Sequence, residues 1–172
     1  MAKFTFAGAP SPVSPAGDLV SYDASDAVFP FTSPAGVVER DDVPLLTFVA
    51  GEDRNILYEG SIDNGYNAGP LVVDLFWLAA AAIAGDVVWH VAWTRQRNGD
   101  SISRPFAPPQ MVVSTVQPVN GDIRKATVIF SQAEADGVTP ADPYKIRVRR
   151  NGVSGLDTMI DTAQLLRVTV RE

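Results

Sequence analysis

From residue 43 to the end of the chain, apolar and polar positions alternate with a period of two in one short run after another. This is the pattern of β-strands whose two faces meet different surroundings. Residues 45–50 and 55–59 form two apolar runs separated by the turn-like Gly51-Glu52-Asp53. Leu71, Val73, Leu75 and Trp77 alternate with Val72, Asp74, Phe76 and Leu78, so that run is apolar on nearly both faces. Val87, Trp89, Val91 and Trp93 alternate with Val88, His90, Ala92 and Thr94, and further runs cover residues 111–116, 123–130, 144–150 and 165–171. The last two are the clearest. Tyr144, Ile146 and Val148 alternate with Lys145, Arg147 and Arg149, and Leu166, Val168 and Val170 with Arg167, Thr169 and Arg171. One dry face and one charged face belong to antiparallel sheets with a wet side.

Turn chemistry agrees with this reading. Asn-Gly occurs at residues 64–65, 98–99, 120–121 and 151–152, each near the end of an apolar run, and the dipeptide is favoured where both turn residues need φ > 0. Two places, residues 78–83 and 156–163, have room for short helical turns. Neither is long enough for the recurrent crossover helices that parallel strands need. No internal repeat is evident, which disfavours a propeller or β-helix. About eight strands with uneven connections therefore predict an all-β fold, an antiparallel two-sheet sandwich that is jelly-roll-like.

The first part of the chain is different. Pro10, Pro12, Pro15, Pro30 and Pro34 punctuate residues 1–36; proline fixes φ and removes an amide donor, so an extended N-terminal arm is expected there, ahead of a sandwich domain at 37–172. The arm nevertheless carries Phe4, Phe6, Val13, Leu19, Val20, Tyr22, Val28, Phe29 and Phe31. A disposable linker would not hold so many apolar side chains, so it is expected to lie against something apolar, either its own domain or a neighbouring subunit. The candidate partner-binding residues are Phe4, Phe6, Val13, Leu19, Tyr22, Phe29 and Phe31.

Composition narrows the partners. Twenty acidic against 14 basic residues give a net charge of −6, which opposes non-specific binding to nucleic acid or an anionic membrane. Positive charge is mostly arginine, which suits bidentate, partly buried contacts better than lysine. With no cysteine, disulfides, thiolate metal sites and thiol nucleophiles are all excluded. The N-terminal residues lack a continuous apolar core of signal-peptide length, and the longest apolar stretch, 76–85, is too short to span a bilayer. A soluble protein made in cytoplasm is expected.

Chemistry-bearing residues are sparse. His90 is the lone histidine, sits on a strand among large side chains, and no G-x-S-x-G elbow accompanies it. A zinc site would then need several carboxylates. Carboxylates fall mostly in turns, where aspartate ordinarily serves local backbone hydrogen bonds. Asp74 is the exception, mid-strand in an apolar run, and an arginine on a neighbouring strand would account for it. Asp63-Asn64-Gly65 does not extend into an EF-hand loop, and phosphate-binding glycine motifs are absent. Trp77, Trp89 and Trp93 offer rings to a sugar, but Trp89 and Trp93 share a strand face with Val87 and Val91, which points to the core. No catalytic residue, metal or cofactor is assigned.

The stretch Pro143-Tyr144-Lys145-Ile146-Arg147-Val148-Arg149-Arg150-Asn151, then Leu156-Asp157-Thr158-Met159, then the run from Asp161 to Val170, resembles an ending seen in small jelly-roll virion proteins of tailed bacteriophages. There a strand of alternating arginines precedes a D-T-rich turn and a final A-x-L-L-x-V-x-V strand. Upstream, residues 69–77 and 85–93 are similar to paired strands of the same group. The resemblance implies a non-enzymatic capsid decoration or cement protein on the virion surface, with the major capsid protein as partner and a homotrimer as its form. The alternative is a carbohydrate- or receptor-binding β-sandwich module of a tail fibre or a secreted enzyme.

Overall fold

The structure, a computed structural model, describes residues 18–172. Ten strands run through them: β1 (Asp18–Asp23), β2 (Gly36–Arg40), β3 (Val43–Phe48), β4 (Asp53–Ser61), β5 (Leu71–Ala79), β6 (Gly85–Arg95), β7 (Gln110–Val116), β8 (Arg124–Phe130), β9 (Pro143–Asn151) and β10 (Ala163–Arg171). They form two antiparallel sheets, one in the order β2-β3-β10-β5-β8 with β1 also on β10, the other β4-β9-β6-β7. The all-β, jelly-roll-like sandwich read from the alternation is the fold.

Strand β10 organises the six-stranded sheet. One of its edges pairs with β5, and the other is divided, with Ala163–Leu165 opposite β3 and Arg167–Arg171 opposite β1. The register slips between Leu165 and Arg167, leaving Leu166 as an extra residue. A bulge of this kind bends a strand and raises its twist, which lets one edge serve two partners in succession.

The inward positions close over a single apolar interior. Trp77, Trp89, Trp93, Phe48 and Phe130 are fully buried, with edge-on contacts between Trp77 and Trp89 (5.9 Å) and between Phe48 and Trp89 (5.1 Å). The Trp77 indole N–H donates to Ser114 Oγ at 3.0 Å. The tryptophans are thus core residues, and none presents a ring to a ligand.

The N-terminal region joins this interior earlier than its prolines suggested. Tyr22 on β1 is buried, stacks on Tyr58 at 4.8 Å, and shares a 2.7 Å hydrogen bond with the Tyr144 hydroxyl. The prolines lie on either side of β1 and none within it, so its amides remain free to pair. Opposite these hydroxyls Gly60 is obligatory, because a methyl there would collide with Tyr22 and Tyr144. Farther on, Val28 bridges Leu57 and Pro34 bridges Asn55, so residues 28–34 run along the edge of β4.

Local conformation departs from expectation in two ways. Residues 78–83 and 156–163 hold no helix; the one helical element among the described residues is a 3-10 turn at Ala24–Asp26. Of the Asn-Gly pairs, only Gly99 and Gly121 have φ > 0, and none of the asparagines does. The turn with both residues left-handed is Asp41-Asp42 (φ 51° and 63°) between β2 and β3. Aspartate tolerates that region better than most side chains, which hid the tightest hairpin from a search for glycine.

Candidate binding groove

Strand β9 carries arginine on both faces. Inward, Tyr144, Ile146, Val148 and Arg150 alternate into the sandwich, and Arg150 is fully buried. All of its N–H groups are used. Nε and Nη2 meet the Asp157 carboxylate at 2.9 and 2.6 Å, Nη1 donates to the carbonyls of Phe48 and Asp161, and Nη2 also to that of Met159. Asp157 accepts the amide of Val88 as well, and Thr158 Oγ1 that of Asp86. The D-T turn is therefore pinned from below by an arginine and from the side by β6. Its role is structural.

Outward, β9 presents Lys145, Arg147 and Arg149. Register sets their neighbours: Glu59, Leu57 and Asn55 on β4, and Thr94, Ala92 and His90 on β6. Lys145 is taken up by Glu59 at 2.8 Å. Arg149 lies 3.5 Å from Asp53 and donates through Nη2 to His90 Nδ1 at 2.8 Å. With Nδ1 accepting, the imidazole hydrogen sits on Nε2. Burial, and then the Arg149 charge, hold His90 below its ordinary titration range, so it is neutral at pH 7. Arg147, between the other two, has no ion pair or hydrogen bond among the described residues; its guanidinium lies 4.6 Å over the Phe106 ring.

Two walls turn this face into a groove of about 550 Å³ lined by Asp53, Asn55, Leu57, Phe106, Arg147 and Arg149, with residues 30–33 along its margin. That volume is in the range of about 300–1,000 Å³ usual for small-ligand sites. The first wall is the loop before β2. Asn55 Nδ2 donates to the carbonyls of Thr32 and Ser33, and Arg54 Nη1 to that of Pro34, so side chains from β4 hold the loop upright. The second wall is Phe106, on the connection from β6 to β7, which the Ala107 amide fastens to the Trp93 carbonyl at 2.7 Å. That connection is braced by bidentate pairs of Arg97 with Asp142 and Arg104 with Asp136.

The expected site residues are scattered. Phe4, Phe6 and Val13 lie outside the described residues. Leu19 packs against the core and Tyr22 lies within it. Phe29 is partly exposed, while Phe31, 98% exposed, stands at the groove margin. Asp74, which showed no partner in its own run, meets Arg171 at 3.1 Å and the Thr127 hydroxyl at 2.6 Å on the outer face of the six-stranded sheet. Sequence reasoning missed Asn55, Phe106, Arg147 and Arg149 as a set, although the alternating arginines of β9 had marked one of its faces as charged. No three His, Asp or Glu residues among the described ones cluster as a metal site, and no helix there is long and apolar enough to cross a membrane.

No family model and no curated protein matches the chain. Among solved structures, exo-beta-1,3-galactanase from Phanerochaete chrysosporium with galactose aligns at a TM-score of 0.50 and 14% identity, over 88% of this chain and 29% of that one. The CBM22-2 xylan-binding domain from Paenibacillus barcinonensis gives 0.48 and 12%, over 89% and 98%. CBM28, a carbohydrate-binding module specific for non-crystalline cellulose, gives 0.44 and 11%, over 86% and 85%. The chain spans less than a third of the galactanase and of the similar arabinofuranosidase and glucuronidase structures. At these identities the likeness is one of fold. None of these structures is a virion protein.

Proposed function

We propose that this chain is a non-catalytic carbohydrate-binding β-sandwich module whose site is the groove across β4 and β9. The observation that carries the reading is the groove's mixed lining. Apolar surfaces of Leu57, Phe106 and Phe31 stand there beside the hydrogen-bonding groups of Asn55, Asp53, Arg147 and Arg149. A pyranose ring has the matching surface, with C–H patches on its faces and hydroxyls at its rim, and concave sites with few placed polar groups are how such ligands are held. A stretch amounting to 29% of a galactanase solved with galactose shares this fold, in keeping with a sugar ligand here.

The test is affinity electrophoresis of the purified chain through gels containing plant, fungal and bacterial polysaccharides. Retardation by at least one polymer, abolished by Phe106→Ala and Asn55→Ala, is the expected result. Free migration in every gel would refute the reading.

A second reading, attachment to a capsid as a decoration protein, has one observation in its favour: the unprotected ring of Phe31 beside partly exposed Phe29. Deleting residues 1–36 would remove β1 and the buried Tyr22 along with any attachment segment. The clean test is therefore the double variant Phe29→Ser/Phe31→Ser, which leaves β1 intact; capsid binding lost in that variant would support attachment through these rings.

A further inference from the structure

Thirteen lysines and arginines fall within the described residues, and eleven of them have a carboxylate within 4.0 Å. In a chain with an excess of acidic groups, a cation left without one is informative. The two exceptions are Arg147 and Arg167, and each lies 4.6 Å over a phenylalanine ring. Their settings differ. Arg167 is exposed on the outer face of the six-stranded sheet, where water solvates it. Arg147 is half-buried on the groove floor, next but one to a second guanidinium, Arg149, on the same side of β9. Burial and the Arg149 charge both disfavour its protonated form. Two like charges brought together, with a carboxylate paired to only one of them, form a site that an incoming anion would relieve.

We propose that the groove selects an acidic polysaccharide, one whose sugar carboxylate is received by Arg147 together with Arg149. This rests on the carbohydrate-binding reading and adds the ligand's charge to it. Planar guanidinium groups match a carboxylate in bidentate fashion. The Phe106 ring covers the Arg147 guanidinium from one side at 4.6 Å. The His90 imidazole, neutral and accepting from Arg149, orients that guanidinium without neutralising it. An isolated carboxylate on a hydroxylated ring suits this groove better than a dense polyanion does, because no other lining group is basic, Asp53 is itself acidic, and the chain as a whole carries −6. The groove therefore pairs charge at one point with sugar-like contacts around it.

The test is calorimetric titration of the intact chain with polygalacturonate, alginate and hyaluronan, with the carboxyl-reduced form of each, and with poly-L-glutamate. At least one polyuronate is expected to bind, its carboxyl-reduced form at least about tenfold more weakly, and poly-L-glutamate no better than the reduced form. Arg147→Gln should weaken the polyuronate about tenfold or more, while Arg167→Gln leaves it unchanged and both variants keep the wild-type melting temperature. Equal binding of the reduced polymer, or an unaffected Arg147→Gln, would overturn the charge selection and leave the carbohydrate reading standing. Equal binding of poly-L-glutamate would show an anion site without sugar specificity and overturn the proposal. Binding to none of the polymers would overturn the acidic-ligand proposal, while retardation in a neutral-polysaccharide gel would keep the carbohydrate reading standing.

Discussion

On the inner face of β9, Arg150 spends every N–H on protein acceptors and sees no solvent; three residues earlier, on the outer face, Arg147 meets no acceptor among the described residues and rests on an aromatic ring. The same side chain on one strand thus plays two parts. Register decides which. The inward position points at the carbonyls of the 152–162 loop and at Asp157, so the guanidinium organises backbone that would otherwise be left unpaired. The outward position faces Leu57 and Ala92 across the sheet, neither of whose side chains can accept a hydrogen bond. Satisfaction marks the arginine that holds the fold, and its lack marks the one available to a ligand.

The largest effect that follows is on the inner face. Arg150→Met leaves the Asp157 carboxylate buried without its partner, and unfolding in urea should show a loss of about 3–5 kcal/mol. Replacing both residues, as Arg150→Met with Asp157→Leu, removes the stranded charge. That double variant should recover part of the loss; a double variant as unstable as the single one would mean that the carbonyl bonds of Arg150, and not its ion pair, carry the stabilisation.

A smaller effect belongs to the arginines that brace the groove wall. The Arg97 hydrogen bonds hold the Asp142 carboxyl down at about 2, and Arg104 lowers Asp136 in the same direction. Both folded values lie below the unfolded one of about 3.9. The stabilisation is therefore complete above about pH 4 and is lost as pH falls toward 2, a change on the order of 2 kcal/mol for Asp142. Chemical unfolding from pH 5 to pH 2 should show this acid limb, and Arg97→Gln should flatten it. An unchanged limb in that variant would place the acid sensitivity elsewhere.

Arg147→Gln marks the other pole of the comparison. With no partner to strand, its stability should stay within about 0.5 kcal/mol of wild type. A loss comparable with that of Arg150→Met would mean that the outer guanidinium is structural after all.

How much of this was legible in the chain follows from the same distinction. Alternation reads which face a residue occupies, so β3 to β10, the buried tryptophans and the need of Asp74 for an arginine could all be inferred before any coordinates. It cannot read what lies across a gap of a hundred residues. The carbonyl of Phe48 and the Asp157 carboxylate meet Arg150 only once the sheets have closed. Nothing local to Phe106 places it over Arg147. The prolines on either side of residues 18–23 mask a short strand that spans only six residues. The groove itself is a product of register between β4 and β9, and no motif announces it.

The smallest effect, and the one most specific to the outer face, concerns His90. Its imidazole is held below the ordinary 6.5 first by burial and then by the charge of Arg149, with Arg147 adding to the shift and Asp53 opposing it. As pH falls below 6.5 the unfolded chain takes up this proton before the folded one does, so the contribution of His90 is full above that pH and erodes on acidification. Because it is the lone histidine, one pair of ring proton resonances in an NMR titration reports it without overlap. The midpoint should lie below 6.5 in the wild type and move upward in Arg149→Gln, which removes a lowering charge while leaving burial in place. Arg150→Met offers the contrast: its guanidinium is turned to the opposite side of β9, and wherever the variant remains folded the His90 midpoint should stay put. A midpoint at 6.5 in the wild type, unmoved by Arg149→Gln, would mean that Arg149 and His90 are not in contact, and the oriented guanidinium on the groove floor would lose its support.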